Sequence, residues 1–299
     1  MKITAGTPAD ELELPFTPPF DWARMLRFFG GRSTGGVETV DGDRYIRTLH
    51  WQGAPGLLTV RKDPTRPCLI ARVEGEASRF LADMAPRFGH LFDLHTNPQH
   101  LREAFDRDPG LRRLVAQAPG LRIPGAWSGF ELVVRTIVGQ QVSVKAATTI
   151  VGRLVQRAGA PAQAPFHPDT AWLFPTPAAL ADANLEKIGM PGKRVETLQA
   201  FARAVAEGVL DIDAETPDVP ALRKGLLAMK GIGPWTVEYV AMRAWRDADA
   251  WPGTDLVLMQ AIARREAPLD TETWRPWRAY AAMHLWNEIA DSAGMAKGG

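Results

Sequence analysis

"MKGIGPWTVEYV", Met229 to Val240, is the stretch from which the rest of this chain is read. Two glycines flank an isoleucine, a proline and a tryptophan follow, and an apolar stripe runs on. Upstream, Leu222, Leu226 and Met229 recur at helical spacing. Gly231 and Gly233 permit backbone dihedrals closed to other residues. Pro234 suits the first turn of a new helix, where its missing N–H costs nothing. The stretch therefore predicts helix, tight turn, helix over about 220–246. A turn free of side chains lets a phosphate approach the N–H groups that open the second helix. Lys230 stands beside the turn, and Arg223 and Lys224 precede it. Lys193 and Arg194, in "GMPGKRVE", form a second Gly-Pro-basic turn. A grip of this kind on the nucleic-acid backbone is blind to base sequence. The plainer reading is a tight helix–helix connection with solvated lysines, because Gly-x-Gly alone is common.

Beyond the hairpin, "WPGTDLVLMQ" places a lone aspartate, Asp255, before an apolar-periodic helix. Most aspartates in that position are N-caps. The two roles are compatible, since a carboxylate at a helix N-terminus is held ionised and aimed by the dipole. Such a group suits the stabilisation of a developing cation or the activation of water. Trp235, Tyr239, Trp286 and Phe28 offer flat faces, although most aromatics in a chain of this size are ordinary core. Phe28 lies off the apolar stripe of its own helix. His284 and the other histidines show no metal spacing and read as structural or surface residues.

Composition sets outer limits. A chain of 299 residues suggests two domains. Apolar residues make up 45% and charged residues 23%, the balance of a water-soluble globular protein. A net charge of +1 does not advertise a nucleic-acid binder, but it leaves room for a local basic patch. The single cysteine, Cys68, excludes a disulfide framework, a cysteine-based zinc site and a cysteine-ligated iron–sulfur cluster within the chain. The first residues are polar and acidic, without the apolar core of a signal peptide, and no apolar run is long enough to span a membrane. A cytoplasmic protein is the simplest expectation.

The predicted class is α+β. Residues 1–14 read as a loose arm. "PPFDWARMLRFFGG" reads as a helix capped by Asp21, with Trp22, Met25, Leu26 and Phe29 on one face. Strands are expected at 44–51, 56–63 and 68–75, then a helix at about 76–87. Residues 1–95 thus form a small N-terminal domain of antiparallel sheet with helices, and 96–299 a mostly helical bundle. "SGFELVVRTIVG" carries a capping box, Ser128 with Glu131, and Gly139 ends it. Helices are also expected in "SVKAATTIVGRLVQ", "TPAALADANLEKIG" and "GKRVETLQAFARAVAEG", the last stopped by Gly208. "RAGAPAQAPFHPDT" reads as a Pro/Ala-rich loop.

At this point the residues carry a resemblance. "LLAMKGIGPWTVEYVAMRAW", "WPGTDLVLMQ" and "RPWRAYAAMHLWNE" together resemble the helix-hairpin-helix DNA glycosylases, most of all their alkylation-repair branch, the 3-methyladenine DNA glycosylase II type. "PPFDWARMLRFFGGRSTGGVETVDGDRYIR" and "FELVVRTIVGQQVSV" extend the resemblance over nearly the whole chain. It implies an N-terminal antiparallel sheet followed by a helical bundle with a cleft. It implies cofactor-free hydrolysis of the N-glycosidic bond of an alkylated base, flipped out of damaged double-stranded DNA by a monomer. It assigns catalysis to Asp255 and the base pocket to Trp235, Tyr239, Trp286 and Phe28. It makes Gly231, Ile232, Gly233, Trp235 and Thr236, with Lys230, Lys193 and Arg194, the backbone grip, and it places a monovalent cation at the 229–233 carbonyls. The wedge that fills the gap left by the base falls at Gln141. Where lyase members carry a lysine this chain has Trp235, and Thr254 precedes Asp255. The pocket so drawn is flat and apolar, with no arginine placed to read a base edge, and is expected to favour cationic bases. A bifunctional glycosylase/lyase and a non-catalytic hairpin that only binds DNA are the alternative readings.

Overall fold

The computed structural model describes residues 11–163, 167–265 and 270–295, the last three as backbone alone. Residues 1–10 of the expected arm lie outside the described residues. Residues 11–14 do not form a loose arm. Leu12 and Leu14 alternate with glutamates, and Glu11–Pro15 is an edge strand, β1. Helix α1 (Trp22–Gly30) begins as expected, with the Asp21 side chain accepting from the Arg24 N–H and Trp22, Met25, Leu26 and Phe29 buried.

Strands β2 (Glu38–Asp41), β3 (Arg44–Trp51), β4 (Ala54–Lys62) and β5 (Cys68–Glu74) complete a five-stranded antiparallel sheet in the order β1-β5-β4-β3-β2. Strand β2 has no counterpart among the sequence expectations, being short and largely polar. One row across the sheet runs Val40, Tyr45, Val60, Ala71, Leu12. This row and Phe29 meet, with the Phe29 and Tyr45 rings 4.7 Å apart. The expected helix over 76–87 is instead a 3-10 turn (Glu76–Phe80) followed by α2 (Ala85–Leu91). Pro86 explains the break: it has no N–H to donate in a helix interior and sits in the first turn of α2.

The rest is helical: α3 (Pro98–Phe105), α4 (Pro109–Gln117), α5 (Gly129–Gly139) and α6 (Val144–Ala158). A two-residue ladder of β6 (Ala160–Pro161) and β7 (Trp172–Leu173) closes the Pro/Ala-rich loop. Then follow α7 (Pro177–Ala181), α8 (Gly192–Ala206), α9 (Val219–Leu227), α10 (Pro234–Ala244), α11 (Leu256–Ala263) and α12 (Arg278–Met295). The helix expected across 176–189 stops at Ala181. The Asn184 side-chain Oδ1 accepts from the Glu186 N–H, and Gln199 of α8 donates to the freed carbonyls of Ala181 and Ala183.

Two apolar cores result. One gathers the sheet face, α1 and α2 from Leu14 to Leu94, with Trp127; the other runs from Leu101 to Leu285 around α5. Between them lies a buried charged network. Arg47 donates to Glu131 at 2.8 Å, Arg135 to Glu38 at 2.6 Å, and Tyr45 to Glu38 at 2.5 Å. Burial works to raise the Glu38 carboxyl, but the Arg135 and Arg47 guanidiniums outweigh it and hold it below its ordinary value. The capping box at α5 is therefore only half formed. Ser128 accepts from the Glu131 N–H, but the Glu131 side chain is turned to Arg47. Asp213 does the remaining capping, accepting from Ser128 Oγ and from the Gly129 and Phe130 N–H groups.

Candidate active site and nucleic-acid interface

Asp255 is the N-cap of α11, and its Oδ1 accepts from the Leu258 N–H at 2.9 Å. The same oxygen accepts from Trp286 Nε1 at 2.9 Å, and Oδ2 accepts from Trp235 Nε1 at 3.0 Å. Three N–H groups from three helices thus fix one half-buried carboxylate. The two indoles, expected as flat faces, are also its hydrogen-bond donors. A carboxylate has about four lone-pair sites, so roughly one, on Oδ2, stays open.

Trp235 and Tyr239 follow one another by four on α10 and stack at 5.3 Å with rings 12° apart. Trp286 stands edge-on to Tyr239 at 6.2 Å. Phe28 reaches the same cavity from α1. The cavity measures about 1130 Å³, above the range that suits a drug-sized ligand. The structure thus brings Asp255, Trp235, Tyr239, Trp286 and Phe28 together.

The cavity is largely apolar, as expected, but it is not free of arginine. Arg24, Arg27, Arg32, Arg122, Arg135 and Arg243 line it, against the acids Asp21, Asp255 and Asp291. Arg243 is buried; it donates to the Tyr239 hydroxyl at 2.8 Å and to the carbonyls of Pro124 and Gly125. The Arg32 and Arg243 guanidiniums lie 4.1 and 4.7 Å from the centre of the Phe28 ring. Burial works to raise the Tyr239 phenol, but the charges of Arg243 and Arg32 bring it below its ordinary value. The helical stripes Arg24-Phe28 and Tyr239-Arg243 contained this signal. Each arginine is four residues from an aromatic singled out for the pocket.

The hairpin turn is built as anticipated at Gly231 and differently at Gly233. Gly231 has φ +90°, and a Cβ there would overlap Thr197 Oγ1 of α8. Gly233 has φ −103° and needs no special freedom; a Cβ there would meet nothing within 4 Å. Its value is the open space above the N-terminus of α10, which has no side-chain cap. Ile232 and Thr236 bury their side chains, so only their backbone groups face that space. Lys230 and Lys193 are exposed, and Arg194 is half-buried at the start of α8. Arg223 points elsewhere, paired with Glu238 at 3.1 Å and Asp247 at 2.6 Å. For the expected cation, the carbonyls of Met229, Lys230 and Gly231 already accept from the Ile232 N–H, Thr197 Oγ1 and Gln140 Nε2.

Gln141 is exposed at the tip of the α5–α6 loop with φ +58°, a left-handed backbone that turns it outward. Its neighbour Gln140, missed in the sequence, latches this loop to the hairpin. Gln140 donates to the Gly231 carbonyl at 3.0 Å and to Thr236 Oγ1 at 3.2 Å. Among the described residues no cluster of three or more His, Cys, Asp or Glu is placed to hold a metal ion, and no helix is long and apolar enough to cross a membrane.

Residues 134–284 match the HhH-GPD superfamily base excision DNA repair proteins, and residues 11–128 match the AlkA N-terminal domain. The chain belongs to the HhH-GPD superfamily. It is 37% identical to DNA-3-methyladenine glycosylase 2 of Escherichia coli over 91% of this chain and 95% of that one. It is 35% identical to a probable bifunctional transcriptional activator/DNA repair enzyme AlkA of Mycobacterium tuberculosis, over 96% of this chain. The chain spans 59% of the length of that relative. Among solved structures, a 3-methyladenine DNA glycosylase from Archaeoglobus fulgidus superposes with a TM-score of 0.77 at 20% identity, over 92% of this chain and 97% of that one. This last likeness speaks for the fold alone.

Proposed function

We propose that this protein is a monofunctional DNA glycosylase of base excision repair. It acts as a monomer on double-stranded DNA, flips out alkylated purines such as 3-methyladenine and 7-methylguanine, and hydrolyses their N-glycosidic bond. The observation that carries this reading is the Asp255 carboxylate, fixed by three N–H donors at the wall of a cavity bounded by Trp235, Tyr239 and Trp286. With most of its lone pairs committed, the carboxylate is a preorganised anion beside the sugar rather than a mobile base. As the glycosidic bond breaks, its electron pair leaves with the base and positive charge grows on the sugar, which Asp255 faces. Water then bonds to the sugar carbon and loses a proton to solvent.

The division of labour follows from the two ends of the site. Flipping a base costs roughly a few kcal/mol, least for a damaged pair. The uncapped N-terminus of α10, the open face at Gly233, and Lys230, Lys193 and Arg194 grip the phosphates; a monovalent cation at the 229–233 carbonyls would share the oxygens of Met229, Lys230 and Gly231 that already accept hydrogen bonds. Gln141 props the gap, held in register with the grip by Gln140. Residues 1–95 and 96–299 act as two units, with the cleft where Phe28 and Arg32 of the first meet Asp255 and Trp286 of the second. No lysine lines the cavity among the described residues, and the position beside Asp255 is filled by Trp235. That favours hydrolysis without strand cleavage. The test is release of free bases from methylated duplex DNA, separated by chromatography, with cyanoborohydride added to trap any covalent complex. Release without trapping is expected. Binding without release would leave only a DNA-binding hairpin, and trapping would make the protein a lyase.

A further inference from the structure

Six arginines line the cavity, and five of them are tied down. Arg24 and Arg27 bond Asp291, Arg122 bonds the carbonyls of Thr17 and Pro19, Arg135 bonds Glu38, and Arg243 bonds Tyr239. Arg32 differs. Among the described residues its guanidinium makes no hydrogen bond and no ion pair; it rests against the Phe28 ring at 4.1 Å. Its backbone, by contrast, is anchored. The Arg32 N–H donates to the Phe29 carbonyl at 3.0 Å, and the Arg32 carbonyl accepts from Arg135. A flexible cation with five unused donors therefore hangs from a fixed point into the cavity that holds Asp255. Its charge reaches Tyr239, where with Arg243 it helps lower the phenol.

We propose that Arg32 holds the departing base. Its N–H groups reach an acceptor on the flipped base, a ring nitrogen or an exocyclic oxygen, and stabilise the negative charge that arrives there as the glycosidic bond breaks. The inference rests on the glycosylase reading above. A purine alkylated on a ring nitrogen leaves as a neutral molecule, so it gains little from a cation and is repelled by one before departure. A base that is neutral in DNA leaves with the bonding pair as an anion. Arginine does not surrender its proton, so Arg32 acts by charge and hydrogen bonding, and the freed base takes its proton from water. Arg32 thus sets the balance between neutral and cationic substrates, whereas Asp255 serves both through the sugar.

The test compares single-turnover release of hypoxanthine, neutral in DNA, and of 7-methylguanine, cationic in DNA, from otherwise identical duplexes. Arg32→Gln removes the charge. The ratio of the hypoxanthine rate to the 7-methylguanine rate should fall by about tenfold or more, the worth of a hydrogen bond to a charged group. Arg32→Lys keeps the charge but not the planar fork, and its ratio should lie between the two. A ratio within about threefold of wild type in both variants, with the two rates lowered together, would make Arg32 a support for Phe28 and overturn the proposal. If Arg32→Gln does not fold, by its melting temperature, the lysine variant decides in the same way. Wild-type release of 7-methylguanine alone would also overturn it. Release of neither base by the wild type would instead sink the glycosylase reading itself.

Discussion

Trp286→Phe separates two jobs that one side chain performs. It keeps an aromatic ring at the cavity wall and deletes the Nε1–H that Asp255 Oδ1 accepts at 2.9 Å. The carboxylate then has the Leu258 N–H and Trp235 Nε1, and the oxygen that was doubly bonded by donors is held by the backbone alone. A hydrogen bond to a charged group contributes about 1.5–3 kcal/mol. If that energy serves to aim the anion at the sugar in the transition state, its loss slows the chemical step by roughly 10- to 100-fold. The measurement is single-turnover release of 7-methylguanine. It is run in a double-mutant cycle with Asp255→Asn, because the ring is also changed and ring loss alone could slow the reaction. If the indole acts through the carboxylate, Trp286→Phe should cost far less in the Asp255→Asn background than in wild type. The same loss in both backgrounds would mean that Trp286 is only a wall for the base. No loss in the wild-type background would show that two N–H groups aim Asp255 well enough, and the argument from three donors would fail.

Three further outcomes are expected. Asp255→Asn alone should stay folded, because Asn caps the Leu258 N–H as well as Asp, but its Nδ2 meets the Trp235 N–H donor to donor and lowers the melting temperature by a few degrees, while turnover falls at least ~10²-fold; a folded variant with near-normal excision would remove Asp255 from the chemistry. Gly233→Ala should fold normally, since its φ of −103° is ordinary and the added methyl meets nothing within 4 Å, yet bind duplex DNA more weakly because the methyl stands where a phosphate approaches. Gly231→Ala, at φ +90° and against Thr197, should by contrast lower stability by roughly 1–3 kcal/mol; matching stability losses in the two variants, read by denaturant titration, would contradict the assignment of Gly233 to the ligand face. Finally, burial holds the imidazoles of both His90 and His284 down at about 4. Their ordinary value is near 6.5, so the unfolded chain takes up protons first, and stability that is full above about pH 6.5 should drain away towards pH 4, by an upper bound of about 3 kcal/mol for each histidine. A flat stability curve between pH 6.5 and 5 would show that neither imidazole is shielded.

What could be read from the sequence was whatever a few neighbouring residues decide. Helix α1 is set by Asp21 and a stripe within one helix, and the hairpin by Gly231 and Pro234 within four residues. Both are where periodicity and cap chemistry place them. The departures are local too: Pro86 forces a new helix to begin where the apolar pattern from residue 76 would run straight through, and Asn184 keeps the chain from continuing α7. The donors to Asp255 are another matter. Trp235 and Trp286 are 20 and 31 residues away from it, and nothing in either segment announces that an indole N–H rather than an indole face is what the aspartate meets. The sign of charge in the cavity is less local still. Arg24 and Arg27 sit on α1 and Arg32 just beyond it, Arg135 on α5, Arg243 on α10, and Arg122 on a loop before α5. Taken singly each reads as a solvated charge, and a net charge of +1 hides the sum. Only the packing of α1 against α10 and α12 turns scattered arginines into one electrostatic environment. That environment sets a positive charge beside the flat slot expected to attract cations. In the proposed reaction, affinity for a cationic base must then come from aromatic contact and from Asp255 against the repulsion of the arginines, so selection among lesions lies less in ground-state binding than in how the base departs.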